Sequence, residues 1–196
     1  MVQSNGNSTV LKIDSLTKFF GGLRAVHDFD VEIKEGELVG LIGPNGAGKT
    51  TIFNMVTGIY PVSSGKVVFE GDDITDLPAH EVTHLGIGRT FQNIRIFPNL
   101  TVLDNVRVAY HPHASYNVFD GILRSPRFGR GEKEMTDRAR QFLGVFGLEK
   151  YQDSLASNLP YGEQRRMEIA RALATEPDLL LLDEPAAGMN PGEIME

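Results

Sequence analysis

The sequence predicts an α/β fold, in which a mostly parallel sheet alternates with helices. Three observations lead there. A short apolar run at residues 38–42, of the type found in buried strands, opens directly into a glycine-rich loop and a helix. A second apolar run, four leucines at residues 179–182, reads as a strand buried on both faces. Between them the apolar spacing is helical, at residues 102–110, 132–146 and 162–175, and strands alternating with helices build a sheet of this kind.

The remaining elements follow in order. Residues 1–8 are polar, with neither a basic start nor an apolar stretch, so they read as a frayed tail and not a secretion signal. Residues 10–14 and 29–33 look like strands, with a turn at Lys34-Glu-Gly-Glu37 after the second. The loop at 43–48 is followed by a helix from about Lys49 to Thr57, stopped by Gly58. Residues 66–69 form a strand that ends in the turn Glu70-Gly-Asp-Asp73. A helical subdomain is expected at about 93–165, interrupted at 111–131 by a loop or insertion rich in Pro, Gly, Ser and aromatics. The helix at 162–175 should carry Met167, Ile169, Ala170 and Leu173 on or near one face.

Composition limits the function. The 196 residues suffice for one domain with a core. Acidic residues outnumber basic ones 26 to 19, for a net charge of −7, which argues against a nucleic-acid partner because such binding needs a basic face. There is no cysteine, hence no disulfide and no thiolate zinc site. No apolar run reaches the roughly 18 residues that span a bilayer, so a cytoplasmic location is expected, with any membrane role exercised through a partner.

Gly43-Pro-Asn-Gly-Ala-Gly-Lys-Thr50 matches the phosphate-binding pattern G-x-x-x-x-G-K-[ST]. Gly43, Pro44, Asn45, Gly46, Ala47 and Gly48 form a loop whose backbone N–H groups can converge on phosphate oxygens. The helix behind it turns its positive end toward the same anion. Lys49 can reach the β- and γ-phosphates of ATP, the Thr50 hydroxyl can ligate Mg²⁺, and Thr51 can donate to the α-phosphate. Downstream, the leucine strand runs into Asp183 and Glu184. Asp183 can hold Mg²⁺ through water, and Glu184 can act as general base on the attacking water. Leu159, Pro160, Tyr161, Gly162, Glu163 and Gln164 stand at the entry of the periodic helix, where Gly162 and the helix N-terminus can offer N–H groups to a γ-phosphate.

Residues 159–164 resemble the signature motif of ABC ATPases, L-S-G-G-Q. From Val10 to Glu196 the chain is similar to the ATPase subunit of branched-chain amino acid importers. The resemblance implies a phosphate-loop (RecA-like) core with an N-terminal antiparallel β region and an inserted helical subdomain. It places Phe20, in Phe20-Gly-Gly-Leu-Arg-Ala25, at the adenine-stacking position. Arg89-Thr-Phe-Gln-Asn93 looks like the Q-loop, with Gln92 contacting Mg²⁺ and the lytic water and sensing the transmembrane partner. Residues 183–190 resemble the D-loop region. The resemblance further implies a second ATPase subunit whose signature completes each site in trans, two permease subunits, an external solute-binding protein, and a seat on the cytoplasmic face of the membrane.

Two departures stand out: Pro160 replaces the signature serine and Tyr161 its first glycine, so the serine contact to phosphate does not carry over. The family's switch histidine lies beyond the D-loop, yet all five histidines (27, 80, 84, 111 and 113) precede Asp183. In the family a later strand also separates the 38–42 and 179–182 strands. The sequence therefore looks like an incomplete domain, with little hydrolysis or stability expected of it alone.

Two competing readings are weaker. His80-Glu-Val-Thr-His84 matches the zinc-protease pattern, but Pro78 and Gly86 leave only about two turns of helix, the metzincin third position is Thr90, and no Glu occurs between Glu81 and Glu132. An ABC ATPase of DNA repair or translation would carry a long coiled-coil insertion or a second ATPase domain, and neither is visible.

Overall fold

The computed structural model describes residues 8–185. They fall into two compact units that divide between residues 87 and 88.

The first unit is built on an antiparallel sheet of order β2-β1-β3-β4, made of β1 (Thr9–Phe20), β2 (Leu23–Lys34), β3 (Ser64–Phe69) and β4 (Asp72–Asp73). In register, Ile13 stands opposite Val31 on one side and Val67 on the other. Leu11, Ile13, Leu16, Val67 and Phe69 are buried. β1 and β2 are each 12 residues long, longer than the period-two pattern indicates. Irregular pairing hides the rest: Ser15 (φ 47°) and Asp28 (φ 43°) take left-handed conformations, and the register shifts between Ile13 and Leu16 and again before Lys18. Each break slips the alternation to the other face. Side chains secure it, since Ser15 N–H donates to Asp30 Oδ1 at 2.7 Å and Asp28 N–H to Thr17 Oγ1 at 3.1 Å.

The segment at 38–42 departs from expectation. It forms no strand, and Leu38 and Ile42 are 101% and 95% exposed. A strand exists only through its ladder partners, and among the described residues no strand lies beside this segment. Helix α1 (Lys49–Val56) forms as expected and ends before Gly58, with Ile52, Met55 and Val56 buried. Helix α2 (Ala79–His84) has only six residues.

The second unit is helical. α3 (Val102–Tyr110), α5 (Pro126–Val145) and α6 (Tyr161–Leu173) pack on one another around Val102, Val106, Met135, Ala139, Leu143, Met167 and Ala170. The face of α6 differs from the expected one: Arg165, Met167, Glu168, Ala170 and Ala172 are buried, whereas Ile169 and Leu173 are half-exposed. The 111–131 segment is largely ordered. It holds a 3-10 turn (His111–His113), α4 (Val118–Ile122) and the first turns of α5. α4 is started by a capping box between Asn117 and Asp120, and α5 by Ser125 with Pro126 in its first turn. β5 (Ile87–Arg89), at whose first residue the division falls, pairs with β6 (Leu179–Leu181). β6 is not buried on both faces: Leu181 is buried, Leu179 and Leu180 are half-buried, and Leu182 is exposed. β5 is its one neighbour among the described residues.

Candidate nucleotide and hydrolysis site

In the first unit the loop at 43–48 is shaped by its backbone. Gly46 and Gly48 have φ of 83° and 85°, conformations that side chains disfavour. At Gly48 a Cβ would also meet the Ala25 carbonyl oxygen at 2.7 Å. α1 starts at Lys49 with no side-chain cap, so its first amides, those of Lys49, Thr50 and Thr51, have no preceding turn to bond to and face the loop mouth. The Lys49 ammonium folds over the loop, donating to the carbonyl oxygens of Gly43 at 2.7 Å and Pro44 at 3.1 Å. Backbone amides at a helix N-terminus and a lysine cation form a donor set that fits a polyphosphate. Phe20 closes β1, 43% exposed, edge-on to Tyr60 at 5.4 Å and with the Lys18 ammonium 5.1 Å from its ring centre.

In the second unit the leucine strand delivers Asp183 and Glu184 side by side in different surroundings. Asp183 is buried and its Oδ2 accepts from Arg89 Nη2 at 3.1 Å, while its N–H donates to Thr90 Oγ1 at 3.3 Å. Glu184 is exposed, and its Oε2 accepts from Gln92 Nε2 at 3.2 Å. Gln92 and Glu184, 92 residues apart, are thus brought together beside Asp183. The amide oxygen of Gln92 and the second oxygen of Asp183 remain as ligand atoms. Among the described residues no cluster of three or more His, Asp and Glu groups is placed to hold a metal. One carboxylate and one amide oxygen are the kind of protein ligands that Mg²⁺ takes, since it completes its shell with water and phosphate.

The Gln92 loop is pinned by α6. Glu168 Oε1 accepts from the amides of Phe91 at 3.4 Å and Arg95 at 3.2 Å. At the start of α6, Pro160 stands at the N-cap without a side-chain hydrogen bond, Leu159 and Gly162 are buried, and Gln164 Nε2 returns to the Leu159 carbonyl at 2.8 Å. Tyr161 is exposed and Glu163 sits in the first turn. Arg89, Thr90, Arg165 and Glu168 were not singled out as supports by the sequence. The i,i+3 pair Arg165/Glu168 was the available signal, and on a helix it reads as a solvated surface pair. His80 and His84 lie at opposite ends of α2, with His80 Nε2 3.9 Å from Glu81 Oε1. Residues 186–190 of the expected D-loop lie outside the described residues.

A family profile described as "ABC transporter" matches residues 26–187, so the chain belongs to the ABC transporter family, as its ATP-hydrolysing, nucleotide-binding part. The chain is 45% identical to the high-affinity branched-chain amino acid transport ATP-binding protein LivG of Salmonella typhimurium, over 95% of this chain and 73% of that protein. It is 44% identical to the high-affinity branched-chain amino acid transport ATP-binding protein BraF of Pseudomonas aeruginosa, over 94% of this chain and 72% of that one. The crystal structure of the ADP conformation of an ATP-binding cassette of an ABC transporter superposes with a TM-score of 0.79 at 32% identity, covering 95% of this chain and 73% of its own. That agreement places the fold among the phosphate-loop ATPase cassettes. Among the described residues no helix is long and apolar enough to cross a membrane.

Proposed function

We propose that this chain binds and hydrolyses ATP to power an importer of branched-chain amino acids, working against permease subunits at the cytoplasmic face of the membrane. Support for the solute comes from relatives of that name at 44–45% identity over nearly the whole chain. In this reading the amides of residues 46–51 and the Lys49 ammonium hold the phosphates, Phe20 stacks on the adenine, and Thr50, Gln92 and Asp183 serve Mg²⁺. Bound Mg²⁺ supplies charge neutralisation of the phosphates. Residues 159–164 serve the site of a second ATPase subunit, because a helix N-terminus presents donors outward to an anion.

The observation that carries the assignment is the Gln92–Glu184 contact at 3.2 Å. It sets a carboxylate, able to take a proton, beside an amide that can orient water, at the exposed end of a strand whose neighbouring Asp183 is buried. Glu184 takes the proton of the attacking water while Gln92 holds that water in line. The test is Glu184→Gln in the full-length subunit. Glutamine keeps the shape but cannot accept the proton, so turnover should fall about 10²- to 10⁴-fold with ATP binding retained. The variant should also elute as a larger assembly with ATP than with ADP. Turnover at the wild-type rate would remove Glu184 from the role of base. For the solute, uptake of a panel of amino acids in a deletion strain is the deciding measurement.

A further inference from the structure

Glu184 has φ 49°, a left-handed conformation that a side chain with a Cβ avoids. Such a residue persists only where its surroundings impose the conformation. One side chain does so here. Arg165, fully buried on α6, donates through Nη2 to the carbonyl oxygens of Asp183 at 2.7 Å and Glu184 at 2.8 Å, and through Nε to that of Pro185 at 3.2 Å. Its Nη1 donates to the Phe91 carbonyl and to Glu168 Oε2, both at 2.5 Å. A guanidinium has five N–H groups, and each has an acceptor.

The pattern is specific. Successive carbonyls of an extended strand point to opposite sides, so three in a row can meet one guanidinium only if the chain turns among them. The left-handed residue 184 is that turn. The same cation reaches Phe91, next to Gln92, and its counter-ion Glu168 takes the Phe91 and Arg95 amides that bracket the loop. A buried ion pair is poor value for stability alone, since apolar residues of similar volume often serve as well or better. What this one supplies is geometry.

We propose that Arg165 is a positioning residue for hydrolysis: its planar fork fixes the turn at Glu184 and, with Glu168, the loop carrying Gln92, so that the two side chains meet. The proposal rests on Glu184 being the base. Lysine cannot replace it, because an ammonium offers three donors from one point.

The test uses the full-length subunit assembled in its transporter. Arg165→Lys should lower kcat by about ten- to a hundredfold, the range a misplaced catalytic group costs. KM for ATP and the equilibrium affinity for a fluorescent ATP analogue should stay within about twofold, because in the proposed function the phosphates are held by the Lys49 loop and not by Arg165 or Glu168. Glu168→Gln keeps the shape and one acceptor oxygen for the Phe91 and Arg95 amides but replaces the oxygen that accepts from Arg165, and should lower kcat by a smaller factor with the same unchanged affinity. Should Arg165→Lys fail to fold, Glu168→Gln decides. Wild-type kcat in the folded variants overturns the proposal. A parallel fall of affinity and kcat overturns it too, since that marks general support of the fold. Glu184→Gln run alongside separates the two readings: if it stops turnover while the clamp variants do not, only the clamp is wrong.

Discussion

The loop around Lys49 and the strand end at Glu184 both present polar groups, and they are held by opposite means. In the loop the backbone carries the shape: two glycines with φ above 80°, a helix start and one lysine laid on the carbonyls of Gly43 and Pro44. The segment that leads into it, 38–42, contributes exposed side chains and no ladder. At the strand end side chains carry the shape, with Arg89, Thr90, Arg165 and Glu168 all engaged and the guanidinium of Arg165 wholly buried. A site held by backbone conformation is local and tolerates change nearby. A site held by buried side chains depends on residues far along the chain, and each of them can disturb it.

The largest effect tests the loop's dependence on one cation. In the proposed function the Lys49 ammonium makes two charge-assisted contacts to phosphate oxygens at about 1.5 kcal/mol each, so Lys49→Ala should weaken nucleotide affinity on the order of a hundredfold. Equilibrium titration with a fluorescent ATP analogue reads this directly. Unchanged affinity would mean the loop binds by its amides alone.

Two glycines sharpen the backbone half of the comparison. Gly46 and Gly48 have nearly the same φ, but a Cβ at Gly46 meets nothing within 4 Å, whereas at Gly48 it meets Ala25 O at 2.7 Å and Val26 Cγ2 at 3.0 Å. Gly46→Ala should cost about 1–2 kcal/mol, the left-handed penalty alone. Gly48→Ala should cost more, because backbone must shift, and thermal unfolding of the two variants compared side by side gives the ranking. Equal costs would show that conformation and not contact limits this loop.

The smallest effect is expected in the 111–131 segment, where side chains again do the holding but partly in solvent. Tyr116 Oη donates a very short hydrogen bond to Glu132 Oε1, and Arg107 Nη2 holds the other oxygen at 2.6 Å. Burial, and then this hydrogen bond, push the tyrosine up to about 12 from a usual value near 10. The folded state therefore favours the protonated phenol. Its contribution is complete below about pH 10 and is lost as pH rises from there through about 12. Phenolate absorbance should show one late-titrating tyrosine, absent in Tyr116→Phe, and the substitution should cost about 1 kcal/mol.

Much of this was readable in the chain itself. The phosphate loop, α1, α3, the α6 start and the pairing of a leucine strand with Asp183 and Glu184 are local, set by spacing, glycine and capping within a few residues. Ser125-Pro126 is a legible helix start as well, masked by the surrounding Gly and Pro that read as a loop. The lengths of β1 and β2 were not legible, because bulges at Ser15 and Asp28 break the alternation that reveals a strand. Nor was the state of 38–42, since an apolar run becomes a strand only when a neighbour pairs with it.

What the sequence determined by itself is the chemistry on offer: which donors, which carboxylates and which cation, each fixed by residue type and short spacing. What only the tertiary structure decided is which of these meet, and what aims them. Gln92 reaches Glu184 across 92 positions, and Arg165 passes from an apparent surface charge to the buried centre of five hydrogen bonds. The reason is physical. Local propensity acts over one turn or one hairpin, but the burial that makes an ion pair directional arises only after distant elements have packed and excluded water.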